Sequence, residues 1–366
     1  MSSPTPADRA KPAPPPRAER RGFASDNHAG IHPEVLRAIA AANEAYAGSY
    51  GDDSWTAAAE ALFRSHLGES ARAHFVFNGS AANVLALDCV CRQGARAVIC
   101  AESSHLHQDE AGAPERIAGL KLLVRPTPDG RLTPGDVARS DDKRGDVHYA
   151  QPGAVSITQS TELGTVYSPG EIRAIAAAAH ERGMCLHLDG ARLANAAASL
   201  GVSLREITTD AGVDVVSFGG TKNGLLLGEA VVFLTPELGD GFPVLRKAGM
   251  QLASKMRFVS AQFEALLGEG DLWLVGAEHA NRMATRLAEA VAPIEGVELA
   301  HPVEANGVFA RLERAAIERL HAELGEHAFY IWDSDRDEVR WMCSWDTTPE
   351  DVDRFAERVA AAVGAR

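Results

Sequence analysis

The sequence predicts an α/β protein with a large, mostly parallel sheet and a smaller C-terminal α/β domain, and three observations point there. From Phe23 onward, short apolar runs alternate with alanine-rich helical stretches, the pattern of strands interleaved with helices in a parallel sheet. Beyond about Arg246 the alternation gives way to longer helical stretches followed by three further strand-like runs. The 46% hydrophobic and 23% charged fractions are those of a globular chain, and no apolar run approaches the roughly 18 residues that span a bilayer.

Taken in order, the first 22 residues hold six of the eighteen prolines, five basic and two acidic side chains. They read as a disordered, solvated tail without the apolar segment of a signal peptide. The large domain is expected over 23–245. Its seven strands are His74 to Phe77, Ala97 to Ala101, Leu120 to Val124, Val155 to Thr158, Cys185 to Leu188, Val213 to Phe218 and Ala230 to Leu234. Ser168, Pro169 and Glu171 form a capping box with proline at the first helical position, and the helix runs on through Ile172, Ile175 and Ala179. The small domain is expected over 246–366. It has helices through Leu252, Met256 and Phe263 and from Asn281 to Val291, and strands Gly307 to Leu312, Ala328 to Trp332 and Glu338 to Trp345. A last helix is announced by Thr348, Pro349 and Asp351.

Thirty-six basic against fifty acidic side chains give a net charge of −14, which repels a polyanion, so no nucleic-acid partner is expected, and no membrane. The five cysteines, at 89, 91, 100, 185 and 343, form no CxxC pair and no secreted disulfide framework, which fits a reducing cytoplasm.

Ligands of open α/β sheets bind where strands end, and five points there or in the second domain carry chemistry. Asn78, Gly79 and Ser80 follow a strand and open a helix, so free N–H groups and the helix dipole suit a phosphate, or Ser80 is a mere cap. Asp189, in LHLDGAR, is a carboxylate at a strand's mouth, suited to a metal, a proton or a cationic ring nitrogen, with Arg192 as a possible salt-bridge partner. Lys222 lies in GGTKNG, and the chain has only six lysines against thirty arginines. Arginine cannot lose a proton to form an imine whereas a buried amine can, so this position selects for Schiff-base chemistry. His105, His107, Asp109 and Glu110 form an HxHxD string that suits zinc, or a histidine stacked over a cofactor ring. Arg340 alternates with Met342 and Ser344 on one strand face, where it is a carboxylate clamp or a surface arginine.

Together these parts describe a pyridoxal 5'-phosphate site for amino acids. Their order along the chain is that of the aspartate aminotransferase fold type, fold type I.

The strings FASDNHAGIHPEV, YGDDSW, FNGSAANVLAL, SSHLHQDEAG, VHYAQPGAVSITQSTELGTVYS, HLDGARLANA, SFGGTKNG, LRKAGMQLASKMRF and VRWMCSWDTT carry a resemblance that runs from Phe23 to the end. In them the chain resembles the L-threonine aldolase family of pyridoxal-phosphate enzymes, particularly its low-specificity bacterial branch. The resemblance implies that Lys222 binds the cofactor covalently, Asp189 faces the pyridine nitrogen, His105 stacks on the ring, and Gly79 and Ser80 take the phosphate. Ser25, Arg192 and Arg340 would hold the substrate carboxylate, with Arg192 also beside the cofactor. Arg257 would reach the phosphate region of a neighbouring subunit, and His148 would stand near the substrate hydroxyl. Where many family members read ENTH this chain reads SITQSTELG, which leaves Thr158, Gln159 and Thr161 as candidates for the cofactor's phenolic oxygen.

The implied activity is reversible retro-aldol cleavage of L-threonine, L-allo-threonine and related L-β-hydroxy-α-amino acids to glycine and an aldehyde. Lys222, His105, His148 and Asp189 form the catalytic set, with no metal, in a homodimer or homotetramer. A β-eliminating lyase of the same fold type, and a metallohydrolase on His105, His107 and Asp109, are the alternatives.

Overall fold

The computed structural model describes residues 22–325 and 328–365; the expected proline-rich tail lies, except for Gly22, outside the described residues. Seven strands form the larger sheet: β1 (Arg72–Val76), β2 (Ala97–Ala101), β3 (Lys121–Arg125), β4 (Pro152–Thr158), β5 (Cys185–Gly190), β6 (Val215–Gly219) and β7 (Glu229–Phe233). Their order is β1-β7-β6-β5-β4-β2-β3. Only β7 runs against its neighbours; β3, β2, β4, β5 and β6 pair in parallel. This is the expected α/β sheet, with strand ends displaced by a few residues. β4 shows why: it begins at Pro152, buried along nearly its whole length, where a continuous apolar run has no alternation to mark its start.

Helices cover both faces. Ser168 accepts from the Glu171 N–H while Glu171 accepts from the Ser168 N–H, which starts the helix Pro169–His180 as the capping residues predict. Ile172, Ile175 and Ala179 of that helix are buried against the sheet. Thr348 and Asp351 repeat the arrangement at Pro349–Gly364.

The second sheet is antiparallel, β10-β11-β9-β8, from β8 (Glu298–Leu299), β9 (Gly307–Arg311), β10 (Tyr330–Asp333) and β11 (Glu338–Met342). Two-residue β8 was not expected, being too short to show a period. β11 stops at Met342 instead of reaching Trp345, because the Ser344 N–H turns to the Thr347 hydroxyl at 2.8 Å. Leu252 precedes its expected helix, which begins at Arg257 and ends at Leu267.

The helix Leu272–Val291 serves both cores. Its Trp273 and Ala277 join the core of the larger sheet, and its Met283, Leu287 and Val291 join the core of the smaller one. The N-terminal segment also crosses between them. Phe23 packs in the smaller core, its N–H donates to the Ala328 carbonyl at 2.6 Å, and its carbonyl accepts from the Met342 N–H at 2.7 Å. The chain then passes to Asp26 at the edge of the larger sheet. Among the described residues no helix is long and apolar enough to cross a membrane.

Candidate active site

The carboxyl ends of β1, β4, β5 and β6 and the start of β7 surround a cavity of about 260 Å³, lined among others by Gly79, Ser80, His105, Asp189, Arg192 and Lys222. β1 delivers Asn78 as the cap of the helix Gly79–Val90, and its side chain accepts from the Ala81 N–H at 2.9 Å. Asn78 O takes the Ala82 N–H. The N–H groups of Gly79 and Ser80 have no partner among the described residues and stand at the positive end of the helix dipole. A side chain built on Gly79 would meet nothing within 4 Å, so there is room for an anion in front of them.

Asp189 is the penultimate residue of β5, in its buried run, and is 4% exposed. One carboxylate oxygen accepts from the Asn83 amide at 2.7 Å and the other from the Ala191 N–H at 3.0 Å. Asn83 also donates to Glu110 at 3.3 Å, and Glu110 Oε1 lies 2.9 Å from His105 Nδ1. That hydrogen bond, opposed by burial and aided by Asp189, raises the His105 pKa above the usual histidine range. The imidazole is thereby fixed through Nδ1, leaving Nε2 for a ligand.

Lys222 sits on a tight turn after β6, Thr221–Asn223. Burial lowers its pKa, the Arg192 charge lowers it further, and Asp26, Asp189 and Glu229 oppose that. No described residue takes its amine in a hydrogen bond, so the amine is available as a nucleophile. Glu229, the first residue of β7, braces the turn by accepting from the Gly220 N–H at 2.7 Å. Burial pushes its pKa up to about 7.

Arg192 donates through Nε and Nη2 to the two oxygens of Asp26, at 2.7 and 2.8 Å, and Asn306 donates to the same carboxylate at 3.1 Å. Burial works against ionisation of Asp26, but Arg192, Lys222 and Asn306 outweigh it and hold the carboxyl below its ordinary range. Arg340 stands near this pair. It donates to the Ala24 carbonyl at 3.1 Å and stacks over Tyr330 and Trp332, with 5.2 and 5.0 Å to the ring centroids. Burial and the Arg192 charge lower its pKa to about 10. Two guanidinium groups, those of Arg192 and Arg340, thus share the Asp26 carboxylate, an arrangement that an added carboxylate would balance.

The remaining residues named from sequence stand apart from the cavity lining. Ser25 is buried and its hydroxyl accepts from the Asn27 N–H at 3.2 Å; Asn27 lines the cavity. Arg257 donates to the Ala45 carbonyl at 3.1 Å. The expectation that His148 stands near a substrate hydroxyl is not met within one chain. His148 is exposed in the loop before β4, whose carboxyl end reaches the cavity at Thr158, and seven strand residues span roughly 20 Å. The HxHxD string does not converge either: His105 is turned to Glu110, His107 is exposed, and among the described residues no three His, Cys, Asp or Glu side chains cluster as metal ligands.

Sequence reasoning passed over Asp26, Glu162 and Glu229. Glu162 follows the end of β4 by four residues and lines the cavity. The strand-end rule that found Asp189 would have found it, had the search extended past the hydroxyls beside it.

A family model described as beta-eliminating lyase matches residues 22–315. A low specificity L-threonine aldolase of Pseudomonas aeruginosa is 47% identical, over 94% of this chain and 98% of that one. Among solved structures, a threonine aldolase of Leishmania major superposes with a TM-score of 0.86 at 32% identity, covering 93% of this chain and 99% of that one. An Oryza sativa TDC solved with PLP and tryptamine shares the fold alone, with a TM-score of 0.69 at 16% identity over 91% of this chain and 81% of that one. With a matching family model over most of its length and so near a relative, this chain belongs to the beta-eliminating lyase family, among its low specificity L-threonine aldolases.

Proposed function

We propose that the protein is a pyridoxal 5'-phosphate-dependent aldehyde-lyase that reversibly cleaves L-threonine, L-allo-threonine and related L-β-hydroxy-α-amino acids to glycine and an aldehyde. The observation that carries the reading is the meeting, in one cavity, of a free amine at Lys222, a braced carboxylate at Asp189 and the open helix start at Gly79 and Ser80. These residues fit the cofactor. The unpartnered N–H groups at Gly79 and Ser80 suit its phosphate, Asp189 its ring nitrogen, and a buried orphan oxygen, Glu162 Oε2, a further polar atom. Bound there, pyridoxal phosphate supplies an electron sink for the pair released when the Cα–Cβ bond breaks.

The chain's own residues do the rest. Lys222 supplies the amine that attaches the cofactor, its charge disfavoured by burial and by Arg192. Asp189 holds a proton on the ring nitrogen by facing it with a carboxylate. Arg192, whose Nη1 is left over from the Asp26 pair, and Arg340 bind the substrate carboxylate, with Ser25 beside them, and so fix the orientation of Cα. His105 covers the ring and, through Nε2 or a water, takes the β-hydroxyl proton; help of that kind is typically worth about 10² to 10⁴ in rate. Arg257 is assigned to a neighbouring subunit's phosphate region in a homodimer or homotetramer, and His148 to contacts beyond its own chain's cavity. A cytoplasmic location suits the five unpaired cysteines.

The test is direct: incubate the protein with pyridoxal phosphate and L-threonine and assay products. Glycine and acetaldehyde in equal amounts support the reading; ammonia and a keto acid would make the enzyme a β-eliminating lyase instead.

A further inference from the structure

Resting on that reading, a question follows from the floor of the cavity: which group meets the cofactor's phenolic oxygen. The three side chains singled out by sequence are committed elsewhere. Gln159 is fully buried; its amide donates to the Tyr167 carbonyl at 2.8 Å and its oxygen accepts from the Tyr167 N–H at 3.0 Å. Thr165 spends its only hydroxyl proton on the Asp129 carbonyl at 2.6 Å. The 2.7 Å contact between the Thr161 and Thr165 hydroxyls must then use the Thr161 proton. Thr158 does line the cavity, but its hydroxyl donates to Glu162 Oε1 at 2.8 Å. Neither threonine has a proton left to donate, and Gln159, whose second N–H is not used in these bonds, does not line the cavity.

Glu162 does. Its Oε1 accepts twice, from the Thr158 hydroxyl and from the His105 backbone N–H, each at 2.8 Å. Both lone pairs of that oxygen are in use, so a proton on this carboxyl belongs on Oε2. Oε2 is buried and has no partner, a condition costly enough to imply a missing one. Its anchors also fix its level in the site. Thr158 pairs in register with Asp189, the residue that faces the ring nitrogen, and His105 supplies the ring's cover. A side chain held between those two lies at the height of the ring, not at the mouth where the substrate side chain enters.

We propose that Glu162, as a neutral carboxylic acid, is a cofactor-facing residue that donates a hydrogen bond from Oε2 to the phenolic oxygen of bound pyridoxal phosphate. Burial first, then the Asp189 charge, push its pKa up to about 7, with the His105 N–H and the Thr158 hydroxyl pulling the other way. Arg192, Cys100 and Tyr167 are the other titratable groups that feel its charge. Near neutral pH the donor is therefore present in part of the molecules. Above it, a carboxylate confronts an oxygen anion, and the contact turns repulsive.

The experiment measures the dissociation constant of pyridoxal phosphate for the apoenzyme from pH 6 to 8.5, by titrating the cofactor's absorption band. It compares wild type with Glu162→Gln, Glu162→Ala and Ser160→Ala, Ser160 being a hydroxyl residue of the same loop that also lines the cavity. The cofactor, Lys222 and His105 titrate in every variant, so the informative quantity is the difference in slope. Wild type should lose about tenfold more affinity over this range than Glu162→Gln, which keeps a donor and carries no charge, as expected for one hydrogen bond to a charged group. Glu162→Ala, checked for folding by circular dichroism, should bind about tenfold more weakly than wild type at pH 6, and Ser160→Ala should keep the wild-type slope. A Glu162→Gln protein with the wild-type slope overturns the proposal, as does a Ser160→Ala protein without it. A wild-type protein that binds no pyridoxal phosphate at any pH overturns the proposed function as well.

Discussion

The two edges of the larger sheet are built from the same strands and differ in almost everything else. At the amino edge, the loop leading into β4 presents His148 and Tyr149 to solvent. Its bonds are local: Gln151 donates to the carbonyls of Asp146 and Tyr149 at 3.1 and 2.9 Å. At the carboxyl edge, Asp26, Asp189, Glu162, Glu229, Arg192 and Lys222 are crowded into one half-buried space. Burying charge costs free energy unless each group finds a partner, and here partners are shared unevenly. Asp26 has two, while Glu162 Oε2 has none among the described residues. The lesson is that a fold concentrates uncompensated polarity where a ligand will complete it, while the charges of the opposite edge sit near solvent and pair with one another, as Arg144 does with Asp141 at 2.7 Å.

That contrast can be broken by substitution, and the largest effect belongs to the carboxyl edge. Lys222→Ala should lower aldol cleavage by about 10³-fold or more and leave a protein that borohydride cannot fix to pyridoxal phosphate. A yellow, active variant would refute the assignment of the amine. Asp26→Ala should cost about 3 to 5 kcal/mol of stability, read by urea unfolding, because it strands the buried Arg192 guanidinium. Arg340→Ala should raise the KM for threonine about 10- to 100-fold with a smaller change in kcat; unchanged saturation would remove it from the carboxylate site.

Glu229 sharpens the comparison through pH. Burial raises its pKa from 4.5 to about 7. Between those values the folded chain keeps a proton that the unfolded chain has lost, so this group's contribution is full below 4.5 and fades as pH climbs through 7. Glu229→Gln abolishes that titration. Relative to wild type, the apo variant should gain stability from pH 4.5 to 7, with a ceiling of about 3 kcal/mol; parallel urea curves at the two pH values would show otherwise. The smallest effect is at the amino edge. His148→Ala should shift urea unfolding by no more than about 0.5 kcal/mol, as for a side chain that is exposed within its own chain.

Much of this was legible in the sequence. Ser168 and Glu171 announced their helix because capping is local chemistry, and Asp189 and Lys222 announced the site because each follows a strand and is rare in its setting. What escaped depends on distance through space. Asp26 meets Arg192 across 166 positions, and nothing in the string SDNH distinguishes a guanidinium clamp from a turn. Glu162 looks like an ordinary loop glutamate until the Thr158 hydroxyl and the His105 N–H are seen on the same oxygen. His148 differs in kind: its motif match carries no information about which edge of the sheet it occupies, and within its own chain that is the edge away from the cavity.

The six residues from Phe23 to His28 have a mechanical consequence. One end is buttoned into the smaller sheet by two main-chain bonds, and three residues later Asp26 grips the guanidinium assigned to the substrate. The smaller sheet and the clamp on Arg192 are thereby tied together by one short run of chain. Phe23 and Ala24 are themselves buried, so the strap is shielded from solvent along the stretch that joins the smaller core to the clamp.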